Sequence, residues 1–450
     1  MINKSAKLNI KIFSFFVIYV FFAGFILQKY IIPSTSWHAG NGLLASGDWL
    51  LFQQLAVEHV AQIKSNGWNI FDWRPGGQGP SGFAAAIYAL TGVYEPWVLL
   101  PFHGVIYAFA ALGLFEVIKD LSGNIKIGLM ALIPLLLMPS LAMVWGQIHK
   151  DIWVISAVLL MMAYWTKLFI NEPFAWWVGV IVLIYVNACM VWMRPYTLQI
   201  ALVGQALLLT MLLGVKIKQK NYFVIFLGML SIVVTLYSWN FTKVTNDAGA
   251  STTTVAASAT SVVNASATTC KAWTYTLPIK QLDNTLMSLA CTRDGFNNYL
   301  PNAASNLDSN VEFNSAVDIF FYIPRALQIS IFAPFPDMWF ARGSSGASSV
   351  FRLVAAIETL VIYLGLLGIC LAQILIISKK SKLDHAKNTA IWGIIFFGVI
   401  WVVVYALTTG NVGGIYRMRF PIMLLWIGLG LLSWREVVLW FKLRVLSAHS

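Results

Sequence analysis

Few side chains in this sequence are equipped for chemistry. Two carboxylates, Asp48 and Asp151, open apolar helical patterns in "ASGDWLLFQQLAVEHVAQI" (45–63) and "GQIHKDIWVI" (146–155). His149 and Lys150 stand directly before Asp151, Arg417 and Arg419 lie in "GNVGGIYRMRFP" (410–421), and Arg194 lies in "WMRPY". A carboxylate within hydrogen-bond reach of a hydroxyl takes its proton as that hydroxyl attacks. Lysine and arginine stabilise charge that grows on a departing phosphate, arginine through a planar fork that matches it bidentately. The set therefore suits displacement of a phosphate by an acceptor hydroxyl. Each member also has a plainer role. Asp at a helix start satisfies orphan N–H groups and favours the dipole. Lys150 and Arg194 can snorkel to the lipid boundary. Arg417 and Arg419 can contact anionic headgroups.

The elements that hold these residues are membrane helices. Hydrophobic residues make up 59% of the 450 positions, charged residues 11%, and the mean hydropathy is +0.74. A soluble domain carries roughly a quarter charged residues, and a bilayer span needs about 20 apolar ones. The sequence predicts an all-α polytopic membrane protein with about ten spans, at 12–30, 96–118, 127–145, 151–169, 175–193, 196–215, 221–239, 350–377, 389–409 and 420–434. The surplus of 30 Lys and Arg over 18 Asp and Glu is then an orientation signal and not a nucleic-acid footprint. Lys4, Lys7 and Lys11 precede the first span. Basic residues recur at every second turn: Lys119 and Lys126; Lys167; Lys216, Lys218 and Lys220; Lys379, Lys380, Lys382 and Lys387; then Arg435, Lys442 and Arg444 in the tail. That pattern predicts cytoplasmic termini. It places the 31–95 loop, the 240–349 loop and the residues above, Lys150 and both late arginines included, on the outer side. The first span is too long for a signal-peptide core and reads as an anchor.

Three modules follow: 1–239 with the first outer loop 31–95, a large outer loop at 240–349, and helices with a basic tail at 350–450. In the first loop Trp49, Phe52, Leu55, Ala56, Val60 and Ile63 recur at helical spacing, opposite Gln53, Gln54, Glu58, His59 and Gln62. That is an amphipathic helix suited to the membrane surface. The following "NGWNIFDWRPGGQGPSG" (66–82) adds turns, interfacial Trp68, Phe71 and Trp73, and Arg74, a further candidate cation. In the large loop "NDAGASTTTVAASATSVVNASATT" (246–269) is low-complexity. Cys270 and Cys291 are placed for a disulfide in an oxidising compartment, whereas Cys189 and Cys370 lie in spans. "YIPRALQISIFAPFPDMWF" (322–340) is apolar and aromatic enough to dock on the bilayer or on the core. Glu358, inside the eighth span, is a candidate by its depth, with Arg352 as a structural partner. His38, His59, His103 and His149 have no ligand spacing.

At Asp48 in "SGDWLLFQQLA", Asp151 in "HKDIW" and the late "YRMRFP" the chain resembles the GT-C superfamily, the integral-membrane glycosyltransferases that use polyprenyl-phosphate sugars. The branch is that of the lipid A aminoarabinose transferase and the protein O-mannosyltransferases. The resemblance spans roughly residues 1–215 and 385–435. The 240–349 loop has no counterpart in it, and a short basic tail stands where many relatives carry an extra domain. It implies an inverting transfer from an undecaprenyl-phosphate-type donor to a hydroxyl of a glycan, lipid or protein, on the periplasmic face of a bacterial inner membrane, within envelope polysaccharide biosynthesis. Asp48 would be the base and Asp151 would orient the acceptor or Lys150. Lys150, Arg417 and Arg419 would hold the phosphate, with Arg74, His149, Arg194 and Glu358 as further candidates. Some relatives bind a divalent cation. The alternatives are an O-antigen-type polymerase or ligase using Arg293 and Arg325, a transporter or flippase, for which mid-span charges and repeats are scarce, and a non-catalytic assembly subunit.

Overall fold

The computed structural model describes residues 4–45, 47–170, 175–249, 273–299, 303, 305–343, 346–377 and 384–448. Helices build it: α1 (Lys4–Ile26), α2 (Asp48–Asn66), α3 (Gly79–Thr91), α4 (Leu100–Ser122), α5 (Ile125–Met130), α6 (Ile133–Leu137), α7 (Pro139–Gly146), α8 (Asp151–Ile170), α9 (Trp176–Met193), α10 (Thr197–Lys216), α11 (Tyr222–Gly249), α12 (Lys280–Tyr299), α13 (Ala316–Phe332), α14 (Gly346–Ile377), α15 (His385–Thr408), α16 (Val412–Met418) and α17 (Phe420–Ala448). Among the described residues there is no strand, only isolated bridges. Among the described residues nine helical segments are long and apolar enough to cross a membrane, or ten if the bent pair within 125–146 counts as one span. The chain is an all-α polytopic membrane protein.

The third expected span is where local chemistry departs from a straight helix. Residues 125–146 form three short helices with a bend of 71°. Pro134 and Pro139 each sit at the start of a new helix, where a missing N–H costs least. Pro139 cannot donate to the carbonyl of Leu135. The Tyr107 hydroxyl does so instead at 2.7 Å, and Tyr19 serves Leu136 O at 2.8 Å. Broken backbone survives at membrane depth only when such groups are re-satisfied.

The chain divides into two compact units: 1–245 with 360–397 and 423–450, and 246–359 with 398–422. In the first, α8 is the buried axis, with 89% of its apolar window enclosed, against 22% for α1. Helix α4 packs along α1 and α8, closest at Gly113, where a Cβ would lie 2.7 Å from the Leu159 carbonyl carbon. Small residues admit such backbone contact in lipid. Charged side chains gather at one end of this unit. Lys167 reaches Glu116 and Asp120, both at 2.7 Å, Lys119 reaches Glu116 at 2.8 Å, and Asn9 donates to Glu116 at 3.0 Å. Arg435 contacts the carbonyl of Ser122 at this same end. The 31–95 loop meets the 147–150 turn at the opposite end.

In the second unit, α12, α13, α16 and the adjoining turns of α15 close over a core that includes Phe313, Ile319, Ala326, Ile329, Leu407, Val412 and Ile415. Asp283, buried in the first turn of α12, accepts from Trp273 Nε1 and the N–H groups of Thr276 and Leu277. Burial works against its charge, but these three donors outweigh it and hold the carboxyl below its usual range. Cys291 is disulfide-bonded, Cys270 lies outside the described residues, and Cys189 and Cys370 carry free thiols. The low-complexity stretch lies outside the described residues from 250 on; residues 246–249 complete α11.

Candidate functional site

The first unit brings most of the candidate residues to one place. The turn between α7 and α8 is too short to reach water, so its polar groups are satisfied by the first loop. Gln147 accepts from Leu44 N at 3.1 Å and donates to the carbonyls of Gly42 and Gly146 at 3.2 and 2.8 Å. Gln28 donates to Gly146 O at 2.7 Å. These bonds pin the 42–44 segment against the turn and fix where α2 begins. Gly47 is the N-cap of α2 and Asp48 its first helical residue, so Asp48 does not occupy the capping position. Its side chain is exposed, beside buried Trp49.

One turn on from Asp48, Phe52 sits on the same helix face. The Lys150 ammonium lies 5.3 Å from the Phe52 ring centroid and 3.3 Å from Gln78 Oε1. A cation over a ring face gains about 0.5–2 kcal/mol, more as water is excluded. Half-buried Lys150 is thus held against α2 one turn past its start and against the loop that carries Gln78. The imidazole of His149 lies 6.1 Å from Trp49, ring to ring.

Beneath them is an ion pair between α8 and the end of α9. Asp151 is 3% exposed and pairs with Arg194, itself 2% exposed. His149 Nδ1 lies 3.1 Å from the second Asp151 oxygen and accepts from the Asp151 N–H. Arg194 also donates to the Tyr196 hydroxyl at 2.6 Å. Arg194 is therefore no snorkelling boundary residue; it is the countercharge of Asp151. Arg74 donates to Gly77 O at 3.1 Å and holds the 72–77 turn; burial lowers its pKa, against the attraction of Asp72.

Helix α2 buries Trp49, Phe52, Ala56, Val60 and Ile63 as its periodicity predicts, and it packs on α3. Gln53 and His59 are buried as well, although they fall on its polar side. Gln53 accepts from Tyr88 at 2.6 Å and donates to Tyr94 O at 2.8 Å, while His59 Nε2 accepts from Asp72 N at 2.8 Å. Gln78, Phe52, Tyr88 and Tyr196 were not singled out as site residues in the sequence. Their only signal there is proximity to Gly and Pro turns or to a candidate charge.

Arg417, Arg419 and Glu358 belong to the second unit. Arg419 is 1% exposed and donates to the carbonyls of Ser330 at 2.9 Å and Ile331 at 3.1 Å, which end α13, while stacking on Tyr416 at 4.7 Å. Arg417 is half-buried on α16. Glu358 accepts from Tyr416 at 2.5 Å; Arg352 donates to the carbonyls of Ala341 and Arg342. Of the two arginines of the polymerase alternative, Arg293 serves the unit's interior and Arg325 lies at its edge. Arg293 is sandwiched by Phe313 and Tyr322 and donates to Ala406 and Asp308 carbonyls. Arg325 forms a two-point contact with Asp308 at 2.9 and 3.1 Å. Among the described residues no three of His, Cys, Asp and Glu converge to hold a metal ion. Comparison with known protein families, curated proteins and solved structures yields no match.

Proposed function

We propose that this chain is an inverting, polyprenyl-phosphate-sugar-dependent glycosyltransferase of a bacterial inner membrane, acting on the periplasmic face with its termini in the cytoplasm. The observations that support it are an exposed carboxylate, Asp48, at the start of α2 and, one turn along the same helix, Phe52 under the Lys150 ammonium, which Gln78 also holds. The acceptor is a hydroxyl of a glycan, lipid or protein. Asp48 takes the hydroxyl proton as the oxygen attacks the anomeric carbon. The bond from that carbon to the phosphate oxygen breaks, polyprenyl phosphate leaves, and Lys150 stabilises the charge it carries away. Inversion follows from a single displacement. Asp151, buried and paired with Arg194, with its N–H donating to His149, acts as a positioning residue that fixes the turn presenting Lys150. Arg417 is a further phosphate candidate by residue type, and Arg419 frames α13 and α16 beside it.

The test follows a radiolabelled sugar from its polyprenyl carrier to acceptor in proteoliposomes. Asp48→Asn is expected to lower turnover on the order of 10²-fold or more, with insertion intact. Lys150→Ala and Arg417→Ala are expected to weaken donor use, since losing one charged stabiliser commonly costs several kcal/mol. Wild-type turnover in Asp48→Asn would remove Asp48 as the base.

A further inference from the structure

Helix α13 has two apolar faces and charge only at their borders. Ala316, Ile319, Ala326 and Ile329 pack into the second unit's core. At positions one helical turn apart on the other side, Val317 is 42% exposed, Phe320 48%, Phe321 82% and Phe332 43%. Pro324 and Gln328 complete that side, which carries no charge. Phe340, just after the helix, is 83% exposed. A helix with large apolar side chains on two opposite faces needs an apolar medium at each. A soluble surface seldom leaves such a row of aromatics open to water.

We propose that this face of α13, with Phe340, is embedded in the lipid of the membrane–water interface and holds the second unit at a set depth. The occupant follows from continuity. The next long helix after α13 in the chain is the spanning helix α14, and in the same unit its Val350, Leu353 and Ile357 are 42%, 42% and 59% exposed, as a lipid-facing surface is. The edge fits as well. Arg325 borders the aromatic face, is held by Asp308 and lies 5.6 Å over the Phe335 ring, where a cation meets headgroups while its stem covers apolar surface. Trp339 satisfies its own indole N–H on Pro334 O, so its ring can sit in the interface without an orphan donor. None of this depends on the glycosyltransferase assignment.

The test uses the full chain in phospholipid vesicles, with Cys189 and Cys370 replaced by alanine and the disulfide of Cys291 left intact. Nitroxides are attached singly at Phe321→Cys, Phe340→Cys and, as a water-exposed control, Asn310→Cys. The expected result at 321 and 340 is high collision with oxygen and at least five-fold lower collision with a water-soluble nickel complex than at 310. High accessibility to the nickel complex at both sites would overturn the proposal by placing the face in water. Protection from both reagents would overturn it too, by placing a protein there, a second copy included. Each site is read separately, so one variant that fails to fold does not remove the test.

Discussion

At the scale of single residues, the two carboxylates that look alike in sequence differ in burial. Asp48 is exposed at a helix start; Asp151 is 3% exposed and ion-paired. Removing one partner of a buried pair leaves an uncompensated charge and costs about 3–5 kcal/mol. Asp151→Asn and Arg194→Ala are therefore expected to lower the thermal midpoint in detergent sharply, with activity lost through stability. Asp48→Asn should leave the midpoint within a degree or two while turnover falls. Equal midpoints for both Asn variants would show that the Asp151–Arg194 pair contributes little and would reopen a direct role for Asp151. Asp308 makes a pH prediction. Its hydrogen bond from Arg325 comes first, and with the Tyr322 hydroxyl and the nearby guanidinium charges it outweighs burial and holds the carboxyl below its usual range. A depressed carboxylate stabilises the fold above its unfolded value near about 4 and loses that contribution as pH falls through the lower folded value. Arg325 is 39% exposed, so screening trims the contribution to about 1 kcal/mol. In acid titrations followed by tryptophan fluorescence, Asp308→Asn should be less stable at pH 7 and lack this step; an unchanged acid limb would count against the pair.

At the scale of elements, the interrupted span 125–146 is the instructive one. Proline placement breaks it, and side chains from α1 and α4 make the break tolerable. Tyr107→Phe removes the donor to Leu135 O without changing shape. The expected loss is about 1 kcal/mol, near the usual worth of a hydrogen bond inside a membrane protein. Gly113→Leu should cost considerably more, because its Cβ would meet the α8 backbone and not a yielding side chain. Reversible unfolding in mixed micelles would rank the two, and a Gly113→Leu variant as stable as Tyr107→Phe would show that α4 and α8 can separate locally.

At the scale of the whole molecule, the orientation read from the sequence makes a labelling prediction. Within the first unit Lys119, Lys167 and Arg435 cluster at one end, and the first loop with the 147–150 turn occupies the other. Single cysteines at Lys64 and Asn310, in a background lacking Cys189 and Cys370, are expected to react with an impermeant thiol reagent in intact spheroplasts, and one at Lys126 only after lysis. Protection of 64 with labelling of 126 would invert the topology and move the proposed chemistry to the cytoplasm.

Hydropathy is a local sum, so the class of the chain, its ten apolar segments and the buried stripe of α2 at Trp49, Phe52, Ala56, Val60 and Ile63 were legible in the amino-acid order alone. Candidate charges were legible too, because ionisable groups stand out in an apolar sequence. Their states were not. Arg194 finds Asp151 across 43 residues, Arg419 turns inward to the last carbonyls of α13, and Gln53 and His59 are buried on a side that periodicity marks as polar. Each outcome depends on which helices become neighbours. A charge or amide in a low-dielectric interior is stable only beside its partner, and that partner is set by tertiary packing, not by the residues on either side of it in the chain.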